Sequence, residues 1–256
     1  MPFGVWRMSK FYYDLHIHSC LSPCGDGDNT PNNIAGMAKL CGIDILALTD
    51  HNTAKNCPAF FEAAERVGII PVAGMELTSA EDIHVVCLFE RLESAMEFDE
   101  FVDTMRFKIK NKPQVFGEQL ILDGEDEVVG CEEFLLPNAT TLPIDEIPNE
   151  VHRYGGVCFP AHIDRTSNGI IGILGALPPS PRFDVIELNS ADKLSEYTEK
   201  YGLSGKKIII SSDAHYLTDM RDAENYLELS ASRDDPVSVR KELFKYLGGR
   251  NEGNIS

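Results

Sequence analysis

Short runs of hydrophobic residues alternate along the chain with longer segments in which hydrophobic residues recur at helical spacing. Strands are predicted at the apolar runs FYYDLHIHS, IDILALT, IIPVAG, IHVVCLF, VCFPA, FDVIEL, KIIISS and NYLELS. Helices are predicted between them, because residues three and four positions apart fall on one face of an α-helix. The alternation predicts an α/β fold built from βα units.

The segment 91–150 interrupts this rhythm. A helix is predicted at EFDEFVDTMRFKIKN, followed by a hairpin at QLILDGEDEVVG and a proline-rich loop that leads into a short helix. We therefore predict one domain formed by residues 11–90 and 151–250, with residues 91–150 inserted between two of its units. The inserted segment could cover a site as a lid, or it could simply add surface.

The composition limits the choice of partners. The chain has 256 residues, a formal net charge of −18 and a sequence pI near 4.7, whereas a general nucleic-acid surface would be basic. The sequence contains no apolar run of about 18 residues and no hydrophobic export signal near its start, so we expect a cytoplasmic protein with no membrane partner. For an anionic substrate, bound divalent cations could reverse the local sign of the charge.

Side chains that can bind metal ions occur at the ends of several predicted strands. They are His16 and His18 at the end of the first strand, Asp50 and His51 after the second, Glu76 after the third, His84 at the start of the fourth, His162 after VCFPA, and Asp213 and His215 after KIIISS. In a parallel α/β barrel the carboxyl ends of the strands converge on the face that carries the active site. We therefore predict that these side chains lie close together. His152, on the last helix of the insertion, is predicted to be at the surface.

Alternation within the first strand divides its side chains between two faces. Residues two positions apart on an extended chain point the same way, so His16 and His18 share one face, and Leu15 and Ile17 are predicted to pack outward on the other. Asp14 could orient one of the ligand histidines, as acids next to metal sites commonly do.

Asp213 and His215 form a second pair with this spacing. Each pair could hold a cation, and imidazole together with carboxylate suits zinc, manganese or iron. Glu76 has two oxygens and could bridge two metal ions. Spacing alone leaves His84 ambiguous, because it would approach from the start of a strand, and a buried histidine with one hydrogen bond is the alternative.

Seven scattered cysteines predict free thiols in a reducing compartment. Cys20 and Cys24 differ from the others, because CLSPC lies directly after the histidine pair. A soft-metal site at these two residues is the alternative to free thiols, although no second close pair of cysteines completes a zinc cage.

The motifs DLHIHS, ALTDHN, GMELTS, IHVVCL, FPAHIDR and SSDAH resemble, in this order, those of the polymerase and histidinol phosphatase (PHP) family. The resemblance covers roughly residues 12–90 and 155–216. It implies a distorted, TIM-like barrel of seven βα strands that holds two or three divalent metal ions. The ligands that it implies are His16, His18, Glu76 and Asp213 for the first metal, Glu76, His84 and His162 for the second, and His51, His215 and a further aspartate for the third.

The chain departs from the family at that aspartate. The commoner pattern, HxHSxxSDG, has it five positions after the second histidine, where this chain has Pro23. Asp26 is the favoured replacement, because it precedes a glycine as in SDG, and Asp28 is the alternative. The insertion resembles the extra segment of PHP phosphoesterases that act on nucleotides or other small phosphate esters.

These features predict a metal-dependent phosphoesterase that uses metal-activated hydroxide on a small phosphate ester, such as a nucleotide or another phosphorylated metabolite. Arg165 is the predicted ligand of the substrate phosphate, because a guanidinium group matches phosphate geometry; a structural pair with Asp164 or a surface acid is the alternative. Asp213 or His215 could pass a proton to the leaving group. Asp50 could orient His51.

Other functions remain open at this level. A PHP-type nuclease that acts on a polynucleotide is one alternative, and a metal-binding regulatory domain without catalysis is another. Hydrolysis of a different kind of bond is a third. The sequence leaves the oligomeric state, the identity of the metals and the substrate's leaving group undetermined.

Overall fold

The computed structural model describes residues 8–248. The strands are β1 (Ser9–Ile17), β2 (Ile45–Leu48), β3 (Ile70–Thr78), β4 (His84–Phe89), β5 (Leu120–Leu122), β6 (Val128–Cys131), β7 (Gly156–Pro160), β8 (Val185–Leu188), β9 (Lys207–Ile210) and β10 (Tyr226–Leu229). The α-helices are α1 (Pro31–Leu40), α2 (Cys57–Val67), α3 (Leu92–Met105), α4 (Pro113–Phe116), α5 (Ile147–Arg153), α6 (Ile170–Leu174), α7 (Leu194–Tyr201) and α8 (Pro236–Leu247). Two short 3-10 helices lie at Ala191–Lys193 and Leu217–Asp219. None of the helices in this range combines the length and the hydrophobicity that crossing a bilayer requires.

One curved sheet of six strands, in the order β10-β1-β2-β3-β4-β7, forms the centre of the fold. β1, β2 and β3 are parallel, whereas β4 runs antiparallel to both of its neighbours and β10 runs antiparallel to β1. β8 and β9 form a separate parallel pair, and β5 and β6 form the predicted hairpin. The predicted α/β class is confirmed, with a sheet that resembles half of a barrel.

The β8–β9 pair is hydrogen-bonded to residues beside both β7 and β1. The Ile163 amide, just after β7, donates to the Glu187 carbonyl in β8 at 3.0 Å. The Asp213 amide, just after β9, donates to the His16 carbonyl in β1 at 3.0 Å. Within the described range the strands form a sheet of six and two pairs, so the barrel of seven strands stays a prediction.

The direction of β4 also differs from the parallel arrangement of βα units. Thr78 pairs with His84, and Glu76 pairs with Val86, in an antiparallel register. Only residues 79–83 connect the two strands, and a parallel crossover needs about a dozen residues or more. Because β4 runs antiparallel, its first residue lies at the edge of the sheet where β3 ends. His84 therefore reaches the same edge as the other predicted ligands.

The side chains of β1 do not alternate strictly. Leu15 packs in a hydrophobic cluster that includes Val239 and Leu243 of α8, whereas Ile17 packs in a different cluster that includes Ile34 of α1. The register of β1 against β2 shifts between Asp14 and Ile17, as it does at a β-bulge. The prediction that Leu15 and Ile17 share one outward face is therefore wrong.

Residues 91–150 contact the loop that follows β1. The Leu120 amide donates to the Cys20 carbonyl at 3.3 Å, and the Asn56 side chain donates to the Leu120 carbonyl at 3.1 Å. The Leu122 amide in turn donates to Asn56 Oδ1 at 3.0 Å. These bonds attach the β5–β6 hairpin both to the loop after β1 and to the start of α2.

Candidate metal centre

Most of the predicted ligand side chains meet at one edge of the sheet. Among the described residues, three overlapping groups have ligand atoms within 4.8 Å of one another: His16, His18, Glu76 and Asp213; His51, Glu76 and His84; and His18, His51 and His215. His162 joins them through Glu76, whose Oε1 lies 3.0 Å from His162 Nε2. Eight of the nine predicted ligands are thus brought together, in agreement with the spacing argument.

Glu76 lies at the centre of this arrangement. Its Oε1 is 2.8 Å from His84 Nδ1 and 3.2 Å from His16 Nε2, and its Oε2 is 2.9 Å from His51 Nδ1. The side chain is buried inside β3, which runs on to Thr78, so the prediction that Glu76 follows this strand is wrong. Two oxygens directed at different histidines give Glu76 the geometry of a bridging ligand.

Asp213 completes the deepest group. Its Oδ1 lies 3.1 Å from His18 Nε2 and 3.4 Å from His16 Nε2, and these two ring nitrogens are 3.2 Å apart. With Glu76 Oε1, which lies 3.2 Å from His16 Nε2, four atoms that can bind a metal ion converge here. Imidazole and carboxylate are ligands that zinc, manganese and iron accept, so the donor set fits divalent metal ions.

The outer nitrogens of the two β1 histidines are held by other residues. His16 Nδ1 lies 2.9 Å from Glu187 Oε1, and His18 Nδ1 lies 3.1 Å from Ser22 Oγ. Glu187 Oε1 also accepts from the His162 amide at 2.9 Å. Such contacts fix the orientation of a ligand histidine and direct its other nitrogen to the metal. Glu187 was not predicted as a site residue, and the available signal was an acid inside the apolar run FDVIEL.

Asp14 is a neighbour of the centre, but it does not orient a histidine ring. Its Oδ1 accepts from the backbone amides of His16 at 3.3 Å and Ser212 at 3.1 Å. Burial raises the pKa of Asp14 to about 6, although the bonds from Ser212 oppose this shift. Asp14 therefore positions two segments of backbone that each carry a candidate ligand.

Asp50 acts in a similar indirect way. Its carboxylate accepts from Ser19 Oγ at 2.6 Å and Ser22 Oγ at 2.7 Å. Ser22 Oγ in turn lies 3.2 Å from the His51 amide, in addition to its contact with His18. The predicted support of His51 by Asp50 thus passes through a serine hydroxyl and reaches the backbone rather than the imidazole.

Two candidate ligands have backbone angles that are uncommon outside glycine. φ is +26° at His162 and +53° at Asp213. Left-handed backbone at such residues costs free energy, and it persists where the surrounding structure holds it in place. At both positions it directs a side chain toward Glu76 or the histidine pair.

The charges of the centre are strongly coupled. Burial alone would raise the pKa of Glu76, but the imidazoles of His84, His16 and His51 lower it well below its usual value. Burial alone would lower the pKa of His51, but the Glu76 carboxylate raises it to about 10. Burial, together with the charges of His215 and His51, lowers the pKa of His18 well below its usual value. The carboxylates therefore stay ionised, and divalent cations would replace the protons that neighbouring imidazoles carry.

The loop after β1 does not bring the predicted aspartate into the centre. Asp26 Oδ1 accepts from the Asp28 amide at 2.9 Å, and neither residue belongs to any of the three groups found in the described chain. Cys24 of this loop lies beside the third group instead, with its Sγ 3.2 Å from His51 Nε2. Burial alone would raise the thiol pKa, but hydrogen bonds with His215 and His51 lower it to about 6.

Arg165 lies at the rim of the centre. Its Nη1 is 2.6 Å from Asp213 Oδ2, and 42% of its side chain is exposed. The alternative pairing with Asp164 does not occur, since that carboxylate accepts from the amides of Asn189 at 2.8 Å and Ser190 at 3.2 Å. The guanidinium group therefore lies between the candidate ligands and solvent.

His152 is half-buried in α5 and belongs to none of the three groups among the described residues. His152 lies away from the centre, as predicted, but it is partly buried rather than fully at the surface.

Residues 14–131 match the family model described as PHP domain. Over this region, a little under half of its length, the chain is similar to PHP domains. The matched region contains the histidine pair of β1, His51, Glu76 and His84, and it extends through the β5–β6 hairpin.

Three curated relatives of the PHP domain cover short parts of the chain. An error-prone DNA polymerase from Symbiobacterium thermophilum is 36% identical over 77 residues, which is 30% of this chain and 7% of the polymerase. A 5'-3' exoribonuclease from Haemophilus influenzae is 37% identical over 79 residues, 30% of this chain and 28% of that relative. A phosphoribosyl 1,2-cyclic phosphate 1,2-diphosphodiesterase from Eggerthella lenta is 36% identical over 66 residues, 26% of this chain and 24% of that relative. The chain spans less than a third of the length of each of these relatives.

Two solved structures share the fold over nearly the whole chain. The lesion-specific endonuclease Q from Pyrococcus furiosus has a TM-score of 0.58 at 17% identity and covers 95% of this chain, which spans 57% of the endonuclease. A candidate metal-dependent phosphoesterase from Bifidobacterium adolescentis has a TM-score of 0.52 at 16% identity, with coverage of 94% of this chain and 97% of that protein. At these identities the likeness concerns the fold of the PHP domain alone.

Proposed function

We propose that this protein is a metal-dependent phosphoesterase that hydrolyses a small phosphate ester, such as a nucleotide or another phosphorylated metabolite. The observation that carries the proposal is the convergence of six imidazoles with the carboxylates of Glu76 and Asp213 at one edge of the sheet. The PHP domain supports it, as does the fold shared with a candidate metal-dependent phosphoesterase.

Two or three divalent cations would be held by this set. The residues that would hold the first two are His16, His18, Glu76 and Asp213, and Glu76, His84 and His162. When bound, such cations supply a water molecule of lowered pKa and neutralise the phosphoryl oxygens. Glu76 would belong to both sets, since its Oε1 lies 3.2 Å from His16 Nε2 of the first and 2.8 Å from His84 Nδ1 of the second.

Arg165 would bind the phosphate group of the substrate. Its guanidinium group reaches Asp213 from the rim and is half exposed, so it can turn from the carboxylate to an incoming phosphate. Lys193 Nζ donates to the carbonyl of Asp164, the residue before Arg165, at 3.0 Å. Two cations at one rim give an anion a local attraction despite the net charge of −18.

Of the two residues predicted to pass a proton to the leaving group, His215 suits the role better. The pKa of Asp213 is lowered, because the imidazoles of His16 and His18 outweigh the effect of its burial, so this carboxyl group is ionised. His215 is 20% exposed, and its Nδ1 donates to the Asp213 carbonyl at 2.9 Å, so its Nε2 can donate a proton only while no metal ion is bound to it. Burial alone would lower the pKa of His215, but its contact with Cys24 raises it.

The activity can be tested with p-nitrophenyl phosphate and a panel of nucleotides in the presence of added manganese. We expect release of phosphate by the wild-type protein and its loss in His16→Ala, while His152→Ala retains the activity because His152 lies outside the centre. Metal-loaded protein that releases no phosphate from any ester would contradict the proposal. Elemental analysis should find two or three metal ions per chain, and less than one would contradict a multinuclear centre.

A polynucleotide is the second candidate substrate. It is favoured by the relatives named as an exoribonuclease and a DNA polymerase, and by the fold shared with endonuclease Q, one structure of which contains a duplex with an abasic lesion. The net charge of −18 opposes it. Cleavage of single-stranded or abasic duplex oligonucleotides with a kcat/KM above that of mononucleotides would establish this candidate in place of the first.

We also propose that residues 91–150 form an insertion in a seven-stranded barrel made of β1 to β4 and β7 to β9. Such a closure is supported by two hydrogen bonds: one joins Glu187 of β8 to Ile163 just after β7, and the other joins Asp213 just after β9 to His16 of β1. The attachment of the hairpin to the loop after β1 supports a position beside the centre, as a lid would require.

A further inference from the structure

The loop between the histidine pair and α1 is tightly folded. The Ser22 amide donates to the Ser19 carbonyl at 3.0 Å, and the Gly25 amide donates to the Ser22 carbonyl at 2.8 Å. The Asp26 amide then donates to the His215 carbonyl at 2.9 Å. A Cβ atom on Gly25 would lie only 2.9 Å from the Ser19 carbonyl oxygen, so this close path requires glycine. The loop therefore holds Cys24 at a defined place beside His215.

At this place the Cys24 thiol faces the third histidine group. Its Sγ lies 3.2 Å from His51 Nε2. The imidazoles of His18, His51 and His215 have ligand nitrogens within 4.8 Å of one another, and the His18 ring centre is 4.2 Å from that of His215 and 4.5 Å from that of His51. His18 is already part of the first group, so the thiol and the imidazoles of His51 and His215 provide three ligands of types that zinc accepts.

We infer that Cys24 supplies a thiolate ligand to a divalent metal ion held with His51 and His215, at the position for which Asp26 was predicted. The inference rests on the proposed metal centre and adds a property of this chain. A thiolate is a soft ligand that favours zinc or iron over manganese or magnesium. The third site therefore selects a softer metal ion than a site with only oxygen and nitrogen ligands would.

Neither rival residue of this loop takes the same place. The Asp26 carboxylate accepts from the Asp28 amide of its own turn. Cys20 is buried, and its Sγ is directed at the Leu120 carbonyl, 4.0 Å away. Cys24, in contrast, keeps solvent-exposed surface although its thiol is partly enclosed, so an ion can reach the thiol from solvent. One thiolate, rather than a pair, is available to the metal.

Cobalt titration of the metal-stripped full chain tests the inference without any measurement of activity. We expect a sulfur-to-cobalt charge-transfer band in the near ultraviolet for the wild type and for Cys20→Ser, and its loss in Cys24→Ser. The Cys24→Asp variant, which offers an oxygen ligand, should bind cobalt without the band. Melting temperatures of the variants check that they are folded.

Several outcomes would overturn the inference. A band that persists in Cys24→Ser would show that the thiolate ligand comes from another cysteine. Cobalt that binds to the wild type without producing the band would exclude a thiolate ligand, but it would leave the metal centre and its proposed activity intact. A wild-type chain that binds no cobalt would reject both the thiolate site and the metal centre. Failure of the phosphoesterase proposal alone would appear as an intact band without release of phosphate.

Discussion

His16 and Glu187 are joined by a buried contact of 2.9 Å between Nδ1 and Oε1, although they are separated by 171 positions in the sequence. The same carboxylate oxygen accepts from the His162 amide, so one acid orients parts of both proposed metal sites. Glu187→Gln keeps the size of the side chain but removes its charge, which makes the imidazole of His16 a weaker ligand. We expect metal affinity to fall by about 10- to 100-fold, as measured by competition with a chromophoric chelator.

Glu199→Gln is the matched control for this change, because it makes the same substitution at an exposed position of α7. The control should bind metal as the wild type does. Equal affinity in both variants would show that Glu187 has no role in holding the histidine.

Alanine substitutions at Gly25 and Gly27 test the fold of the loop after β1. A Cβ atom at residue 25 would lie 2.9 Å from the Ser19 carbonyl oxygen and 3.1 Å from that of Ser22, whereas one at residue 27 would meet nothing within 4 Å. Because backbone has to move in the first case, Gly25→Ala should lower the free energy of unfolding by about 1–3 kcal/mol, as measured by urea denaturation. Gly27→Ala should leave it nearly unchanged, and similar losses in both variants would contradict the tight path of the loop.

The sequence could predict the histidine pair, Asp213 and His215 because their positions follow from local rules. Spacing by two positions and location at strand ends are properties of short segments, and the structure brings all of these side chains together. His84 shows the limit of such rules. Its approach from the start of a strand depends on the antiparallel direction of β4, which follows from the short connection rather than from the pattern of the strand itself.

Glu187 and Cys24 could not be assigned from local patterns. The role of Glu187 exists only once β8 lies beside His16, and the position of Cys24 depends on how a loop of irregular backbone folds against His215. The favoured choice of Asp26 followed a family spacing that this loop, with its own hydrogen bonds, does not keep.

Arg165 offers a test of substrate binding that leaves the metal centre in place. Arg165→Gln removes the cation that we propose for the phosphate group, and a hydrogen bond to a charged group contributes about 1.5–3 kcal/mol. We expect kcat/KM to fall by about 10- to 100-fold, chiefly through KM, while the number of bound metal ions stays the same. Arg182→Gln, at a position that is 79% exposed and paired with Asp184, is the control. Loss of metal together with activity would instead indicate that Arg165 supports Asp213.

The carboxyl group of Asp99 gives the stability of the protein a specific dependence on pH. Asp99 is buried in α3, and its Oδ1 accepts from Thr53 Oγ1 at 2.6 Å and the Ala54 amide at 2.8 Å, in the segment that follows His51. Burial raises its pKa, and these bonds only partly offset the shift. Because its pKa is higher in the folded than in the unfolded protein, Asp99 contributes most favourably to the free energy of unfolding at a pH below its pKa in the unfolded chain. This contribution declines as the pH rises toward the pKa of Asp99 in the folded protein.

Asp99→Asn should therefore stabilise the protein more at pH 7 than at pH 4, by about 1.4 kcal/mol for each unit by which the pKa is raised. The amide oxygen can still accept both hydrogen bonds, so the difference reports the buried charge. Asp103→Asn, in the same helix, is the control of opposite sign, because burial is outweighed there by Lys108 and Arg106, which lower the pKa of Asp103. Urea denaturation at the two pH values measures both variants. Should Asp99→Asn be more favourable at pH 4 than at pH 7, the carboxylate would be stabilised rather than destabilised by its site.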